Sequence, residues 1–362
     1  MTDIPAPKPS IEEIALYQSG ESQLAGASRV LKLSANENPY GPSPKAKVAF
    51  TETAATLHRY PSTDHGTLRR AIGEVHGLDP DRIACGVGSD EILALLCFAY
   101  AGRGREVIHT QHGFAMYRIS ALASGAKPVE VAETARQVDV DAILSAVTDA
   151  TRLVFVANPA NPTGTLLGAD ELTRLADGLP GRVVLVLDGA YAEFAEGYDG
   201  GASLAATRPN VVMTRTFSKL YGLGGLRVGW CFAAREIIDV INRVRGPFNL
   251  GGMQLSAAEA AVRDRDFAEH YMAENARLRA RLRNDVLSMG LACDPSFTNF
   301  LLVRFPGAEA ADTCDRHLRA DGIIVRRAAG YGFPEALRIT VGTEDDCAAV
   351  VESLRRFRSQ AA

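Results

Sequence analysis

Val183-Val184-Leu185-Val186-Leu187-Asp188 decides the fold. Five apolar residues in succession leave no polar face. Such a run reads as a strand buried on both sides, as in parallel sheets covered by helices. A carboxylate ends it, at the point where strands of such sheets open onto a ligand crevice. Working outward, short runs of the same kind recur at 82–84, 106–109, 128–131, 153–157, 211–214 and 227–231. Helix-length segments at 90–101, 117–124, 140–147 and 169–178 separate them. This alternation predicts an α/β architecture: a mainly parallel central sheet with helices on both faces.

The pattern changes near Gly251. Residues 254–289 read as one long helix with Leu278, Leu282 and Val286 along one stripe. Arg277, Arg279, Arg281 and Arg283 lie between them, and a spacing of two scatters charges around a helix. They read as solvated surface with i,i+4 partners, not as a nucleic-acid patch. Strands at 299–305, 322–327 and 337–341 and a helix at 308–320 follow, making a smaller α+β unit. We expect a large domain at 47–250 and a small domain built from both chain ends, 1–46 and 251–362.

Composition narrows the class. The 362 residues include 39 Lys+Arg against 43 Asp+Glu, a formal net charge of −4, and 47% hydrophobic types. That is a packed globular chain without the basic excess of a nucleic-acid binder. The longest apolar stretch, 92–101, is about half of a membrane-spanning helix. Residues 1–10 hold three prolines and no apolar run, so no signal peptide is expected. Six scattered cysteines with no C-x-x-C pair read as small buried hydrophobes of a reducing cytoplasm, not as a zinc site.

The chemistry concentrates at strand ends. Arg215-Thr216-Phe217-Ser218-Lys219-Leu220-Tyr221-Gly222-Leu223-Gly224-Gly225-Leu226-Arg227 follows the buried run 211–214. Lys219 is either surface charge or a desolvated amine of lowered pKa, able to form an imine and shuttle protons. Thr216 and Ser218 are candidate phosphate ligands, with Arg227 as a clamp and the glycines allowing close approach. Neither Gly222-x-Gly224-Gly225 nor Gly86-Val87-Gly88 has the spacing of a dinucleotide motif. Asp188, with Tyr191 three residues on, reads as a crevice acid or as a helix cap. Asn161 lies in a tight loop after 153–157, and Gly88-Ser89 opens a helix whose first amides can hold an anion. Together these supply what pyridoxal phosphate requires: an imine-forming lysine, an acid for the pyridine nitrogen, donors to the ring hydroxyl and a phosphate cup.

Leu33-Ser34-Ala35-Asn36-Glu37-Asn38-Pro39-Tyr40-Gly41-Pro42, Arg59-Tyr60-Pro61, Asn161-Pro162-Thr163-Gly164, Thr216-Phe217-Ser218-Lys219 and Gly225-Leu226-Arg227 resemble the fold-type I pyridoxal-phosphate aminotransferases of class I/II. With Leu337-Arg338-Ile339-Thr340-Val341-Gly342-Thr343, the chain is similar to the histidinol-phosphate aminotransferase family over nearly its whole length. The resemblance implies a role for each matching residue. Lys219 would carry the cofactor and move the proton, and Asp188 would pair with the pyridinium nitrogen. Asn161 and Tyr191 would bond the ring oxygen, and Phe114 would stack on the ring. Gly88, Ser89, Thr216, Ser218 and Arg227 would form the phosphate cup. Tyr60 would reach into the cup of a neighbouring subunit, which implies a homodimer. Arg338 would take the substrate α-carboxylate, assisted by Asn36, with Tyr17 and Arg326 near the substrate side chain or its phosphate.

The implied reaction exchanges an amino group between glutamate/2-oxoglutarate and histidinol phosphate/imidazole acetol phosphate. Transamination of phenylalanine or tyrosine is the alternative, and a threonine-phosphate decarboxylase-like lyase shares the motifs. A non-catalytic protein on this scaffold would lack Lys219 or Asp188, and both are present. This chain has His112-Gly113 where the family often has Pro-Thr, which makes His112 a candidate extra donor.

Overall fold

The computed structural model describes residues 5–16, 21, 23–24 and 30–360. A first strand, β1 (Leu31–Lys32), precedes the large sheet. That sheet is formed by β2 (Ile83–Gly86), β3 (Glu106–Thr110), β4 (Lys127–Val131), β5 (Thr151–Ala157), β6 (Val184–Asp188), β7 (Val211–Thr216) and β8 (Gly229–Phe232). Their order is β2-β8-β7-β6-β5-β3-β4, parallel except for β8, which runs antiparallel to both neighbours. All seven runs expected as strands are in this one sheet, with ends shifted by a residue or two.

The reading of 183–188 holds at the level of packing. Leu185 and Leu187 enter the core on one face with Val154, Val156 and Met213. Val184 and Val186 enter the core on the other face with Leu153, Phe155 and Val212. Neither face of β6 meets water, which is why the run carries no polar residue before Asp188.

The smaller sheet pairs β12 (Arg326–Arg327), β13 (Ala336–Thr340), β10 (Phe300–Arg304) and β9 (Ala292–Cys293) in that order, antiparallel. The expected strand at 322–327 is two short ones. Its first part, β11 (Ile323–Ile324), pairs with β1, and the chain then turns so that β12 pairs with β13. Leu33 joins the core of this unit with Leu278, Leu282, Val286, Leu318 and Leu354, so a segment from before the large sheet is built into it.

The expected helix at 254–289 is also two helices, Gly252–Arg263 and Arg265–Ser288, broken at Asp264. Asp264 leaves helical geometry (ψ 69°), and its buried carboxylate accepts from Lys45 Nζ at 2.6 Å. The two pieces serve different cores: Leu255, Ala258 and Val262 pack on the large sheet, and Leu278, Leu282 and Val286 on the small one. Among the arginines, Arg277 pairs with Glu274 and Glu344, and Arg281 with Glu344. These are surface pairs, though with partners three residues away or on another helix. Arg279 departs from that pattern, donating to the carbonyls of Thr298 (2.6 Å) and Phe194 (3.3 Å). Among the described residues no helix is long and apolar enough to cross a membrane.

One glycine sets how helix and sheet meet. A Cβ on Gly229 in β8 would collide with the backbone of Gly88 and Ser89, at the start of the helix Gly88–Tyr100. Gly229→Ala should push that first turn away from the sheet. We expect a loss of about 1–3 kcal/mol, the usual cost of overpacking, read as a lower urea midpoint with an unchanged slope.

Candidate active site

Lys219, Asp188, Tyr191, Asn161, Phe114, Ser89, Thr216, Ser218, Arg227, Asn36, Arg326 and Arg338 line one cavity of about 260 Å³ at the C-terminal ends of β5, β6 and β7. Three of the sequence-derived candidates lie elsewhere. Gly88 sits behind the cavity wall, its N–H donating to the carbonyl of Arg227 at 3.1 Å. Tyr60 is 83% exposed and stacks on Phe248 at 4.6 Å. His112 is outside the lining and engages Tyr331. Tyr17 is outside the described residues.

Asp188 is 5% exposed, at the end of a strand whose preceding residues are all apolar and buried. Tyr117 donates to its Oδ2 at 2.8 Å and Thr214 to its Oδ1 at 3.1 Å. It is therefore not spent as a helix cap; the nearby 3₁₀ turn, Ala192–Phe194, starts beyond it. Burial pushes its pKa up, and the Tyr117 and Thr214 hydroxyls oppose that rise. The Ala190 N–H also favours the charged form, and a carboxylate's four lone-pair sites leave room for a further, charged N–H.

Three consecutive residues hold the other side of the cavity. The carbonyl of Ser34 accepts from Arg338 Nη2 at 3.0 Å, and that of Ala35 from Lys219 Nζ at 3.2 Å. Asn36 Nδ2 donates to Tyr191 Oη at 2.8 Å. Asn36 has φ +55°, a conformation its short amide tolerates, and Thr340 Oγ1 bonds both its N–H and its Oδ1. Its side chain is thus held by Tyr191 and Thr340 while the residue lines the cavity. Because Tyr191 Oη accepts from Asn36, the phenol proton is left to donate into the cavity.

Desolvation lowers the pKa of Lys219 from 10.5 to about 8, and the positive charge of Arg338 adds to the shift. Arg338, 5% exposed, donates to Asn161 Oδ1 at 2.5 Å and lies over the Phe300 ring at 5.2 Å. Among the described residues it has no carboxylate partner, and its Nε is buried without an acceptor. Arg326 faces it across the β12–β13 pair, while the adjacent Arg327 turns outward onto Asp312.

At the far end, Thr216 Oγ1 donates to Ser218 Oγ at 3.0 Å and Arg227 Nη1 approaches Ser218 Oγ at 3.3 Å. Arg227 takes φ +53° and also pairs with Asp90 at 2.9 Å. The helix Gly88–Tyr100 starts here with no side-chain cap; its Gly88 N–H goes to Arg227, and the amides that follow are left for an anion. Gly88 (φ +74°) is required, because a Cβ would run into the Arg227 guanidinium.

These donors fit the expected cofactor. The hydroxyls, the helix end and Arg227 suit a phosphate; Asp188 suits a pyridinium nitrogen; Tyr191 and Asn161 suit a ring oxygen; Phe114 supplies a ring face. Sequence reading missed Tyr117 and Thr214, which hold Asp188; Asp90, which shares Arg227; and Tyr331, which lines the cavity. Tyr117 carries a faint signal, three residues past Phe114 in the first turn of the same helix.

Residues 28–354 match the model of the aminotransferase class I and II family. The chain is 61% identical to the histidinol-phosphate aminotransferase of Ruegeria pomeroyi, covering 97% of this chain and 98% of that protein. It is 60% identical to that of Dinoroseobacter shibae over the full length of both. The chain belongs to the histidinol-phosphate aminotransferases of the class I and II family. The crystal structure of the Sinorhizobium meliloti histidinol-phosphate aminotransferase in complex with pyridoxal-5'-phosphate superposes with a TM-score of 0.91 over all of both chains, at 26% identity. In the present chain Asp188, at the end of β6, and Lys219, three residues past β7, face one cavity.

The lowered pKa of Lys219 has a direct readout. In cofactor-free protein its amine is protonated below pH 8 and neutral above it. Labelling of Lys219 by an amine-reactive reagent, followed by peptide mass spectrometry, should therefore rise with a midpoint near 8. An ordinary surface lysine titrates near about 10.4.

Proposed function

We propose that the chain is the pyridoxal 5'-phosphate-dependent histidinol-phosphate:2-oxoglutarate aminotransferase of histidine biosynthesis. One observation carries this reading. The cavity that holds Lys219 and Asp188 gathers four cations, Lys219, Arg227, Arg326 and Arg338, against two carboxylates, Asp90 and Asp188. That excess suits a phosphorylated cofactor together with a second, anionic reactant. Glutamate brings an α-carboxylate; histidinol phosphate has none and brings a phosphate ester instead. Full-length identity of about 60% to histidinol-phosphate aminotransferases supports this choice over an aromatic amino acid or a decarboxylation.

When bound, pyridoxal phosphate supplies an electron-accepting ring conjugated to the substrate's amino nitrogen. Asp188 holds the proton on the pyridine nitrogen through the charge of its carboxylate. Tyr191 and Asn161 donate to the ring oxygen, Phe114 covers a ring face, and Gly88, Ser89, Thr216, Ser218 and Arg227 surround the phosphate. Lys219 Nζ anchors the cofactor and, once displaced by the substrate's amine, takes the proton from the substrate Cα. An amine with a pKa near 8 can both accept and return that proton near neutral pH. Arg338 orients the anionic end of the substrate by two parallel hydrogen bonds, with Arg326 toward its remainder.

The same reading divides the chain into a large domain, 47–250, and a small one, 1–46 with 251–362. Sharing of one core by Leu33 and residues 278–357 supports joining the two chain ends, whereas Leu255, Ala258 and Val262 pack with the large sheet and move the boundary past 251. It takes the working unit to be a homodimer in the cytoplasm, with Tyr60 entering the partner's phosphate cup. The exposed Tyr60–Phe248 pair supports the first point, and six free, buried cysteines the second.

Half-reactions of purified holoenzyme test the substrate. L-histidinol phosphate should convert the cofactor far faster than L-phenylalanine, and turnover dominated by phenylalanine would sink the assignment. Carbon dioxide release without keto-acid formation would favour the lyase. Lys219→Ala should lower turnover by about 10²–10⁴-fold or more. Arg338→Lys removes a charged hydrogen bond and should raise KM for glutamate roughly 10–100-fold, measured by steady-state kinetics.

A further inference from the structure

The short turn Thr110–Phe114 presents two side chains in two directions. Gly113 closes it with an N–H donated to the carbonyl of Thr110 at 3.0 Å, and Phe114 faces the cavity. His112 points the other way, to the segment 328–336 of the smaller unit. Its Nδ1 lies 2.5 Å from the carbonyl oxygen of Tyr331. A carbonyl only accepts, so Nδ1 carries the proton. The His112 ring also packs on Phe333, with centroids 4.0 Å apart. Gly332, at φ +84°, makes the approach possible: a Cβ there would lie 3.0 Å from both Nδ1 and Cε1 of His112.

The segment that His112 holds is placed to matter. It leaves β12 just after Arg326 and rejoins the sheet at β13 just before Arg338. Its turns are closed by its own backbone hydrogen bonds, Tyr331 N to Ala328 O and Ala336 N to Phe333 O. It packs on a separate small core of Leu302, Ala328, Phe333 and Ala336, with Tyr331 against it. The Tyr331 ring lines the cavity, 5.9 Å from the Arg338 guanidinium. A small core gives limited rigidity, so an external tether decides where this wall stands.

We propose that His112 is a positioning residue that ties the Tyr331 segment to the turn bearing Phe114 and thereby sets the affinity of the cavity for the substrate's anionic end. Phe114 and Tyr331, from different units, keep a fixed separation because His112, two residues before Phe114, touches Tyr331 and Gly332. The choice of substrate anion rests on the aminotransferase reading; the tether itself does not.

The test compares His112→Ala with His112→Asn, whose amide can donate to the same carbonyl. The first readout is the glutamate half-reaction of the holoenzyme, and the second is hydrogen exchange of the 328–336 amides in cofactor-free and loaded protein. His112→Ala should raise KM for glutamate about 3- to 10-fold, the scale of one lost hydrogen bond, with kcat within about twofold. It should also speed exchange in 328–336, and His112→Asn should recover most of both. An unchanged KM in His112→Ala, or unchanged exchange in that segment, overturns the proposal. If His112→Ala does not fold, Gly332→Ala breaks the contact from the other side and should give the same KM rise. Glutamate is the shared donor in either transamination and exchange needs no turnover. Failure of histidinol phosphate as a substrate would therefore count against the proposed function and leave the tether standing.

Discussion

A carboxylate buried at the end of a strand that is apolar on both faces is expensive, and much of this site exists to make it tolerable. An isolated charge in such a place would neutralise itself by taking up a proton. At Asp188 the Tyr117 and Thr214 hydroxyls oppose that tendency, although burial still leaves its pKa raised. Those donors are themselves fixed, Thr214 by its place in β7 and Tyr117 by stacking on Phe155 at 5.0 Å and 9°. The helix Ala115–Ser124 must therefore sit with its first turn over the strand ends, and that carries Phe114 to the edge of the cavity. A stable carboxylate and a ring-stacking aromatic thus follow from one packing arrangement.

The opposite wall is assembled from the two ends of the chain. Ser34, Ala35 and Asn36 hold Arg338, Lys219 and Tyr191 in turn, and Arg338 then reaches Asn161 on the large sheet. The positive charge of Arg338 is part of what lowers the Lys219 pKa, so the arrangement that binds an anion also prepares the amine. Burial supplies the larger share of that shift. Neither effect acts unless the two units meet, because the lysine and the arginine come from different sheets.

Legibility varied with the range of the interaction. The strands of the large sheet could be read because burial on both faces removes every polar residue from a short run. Lys219, Asp188 and Asn161 could be read because each follows such a run directly. The breaks were not legible. Residues 254–289 were read as one helix although it breaks at Asp264, within the charged run Arg263-Asp264-Arg265-Asp266, to serve a second core, and 322–327 looks like one strand although its halves pair with different partners. Asn36 was legible as a site residue, but its bonds to Tyr191 and Thr340 were not.

By itself, the sequence determined the α/β class, the strand ends at which chemistry collects and the residue types needed for pyridoxal phosphate, because those are matters of local periodicity and composition. Only the tertiary structure decided which groups support them. Tyr117 meets Asp188 from 71 positions away, Arg227 shares Asp90 across 137, and His112 finds Tyr331 across 219. Contacts of that separation leave no periodic trace in a single chain. They are set by how sheets and helices pack, and packing is resolved only when every buried polar group has found its partner.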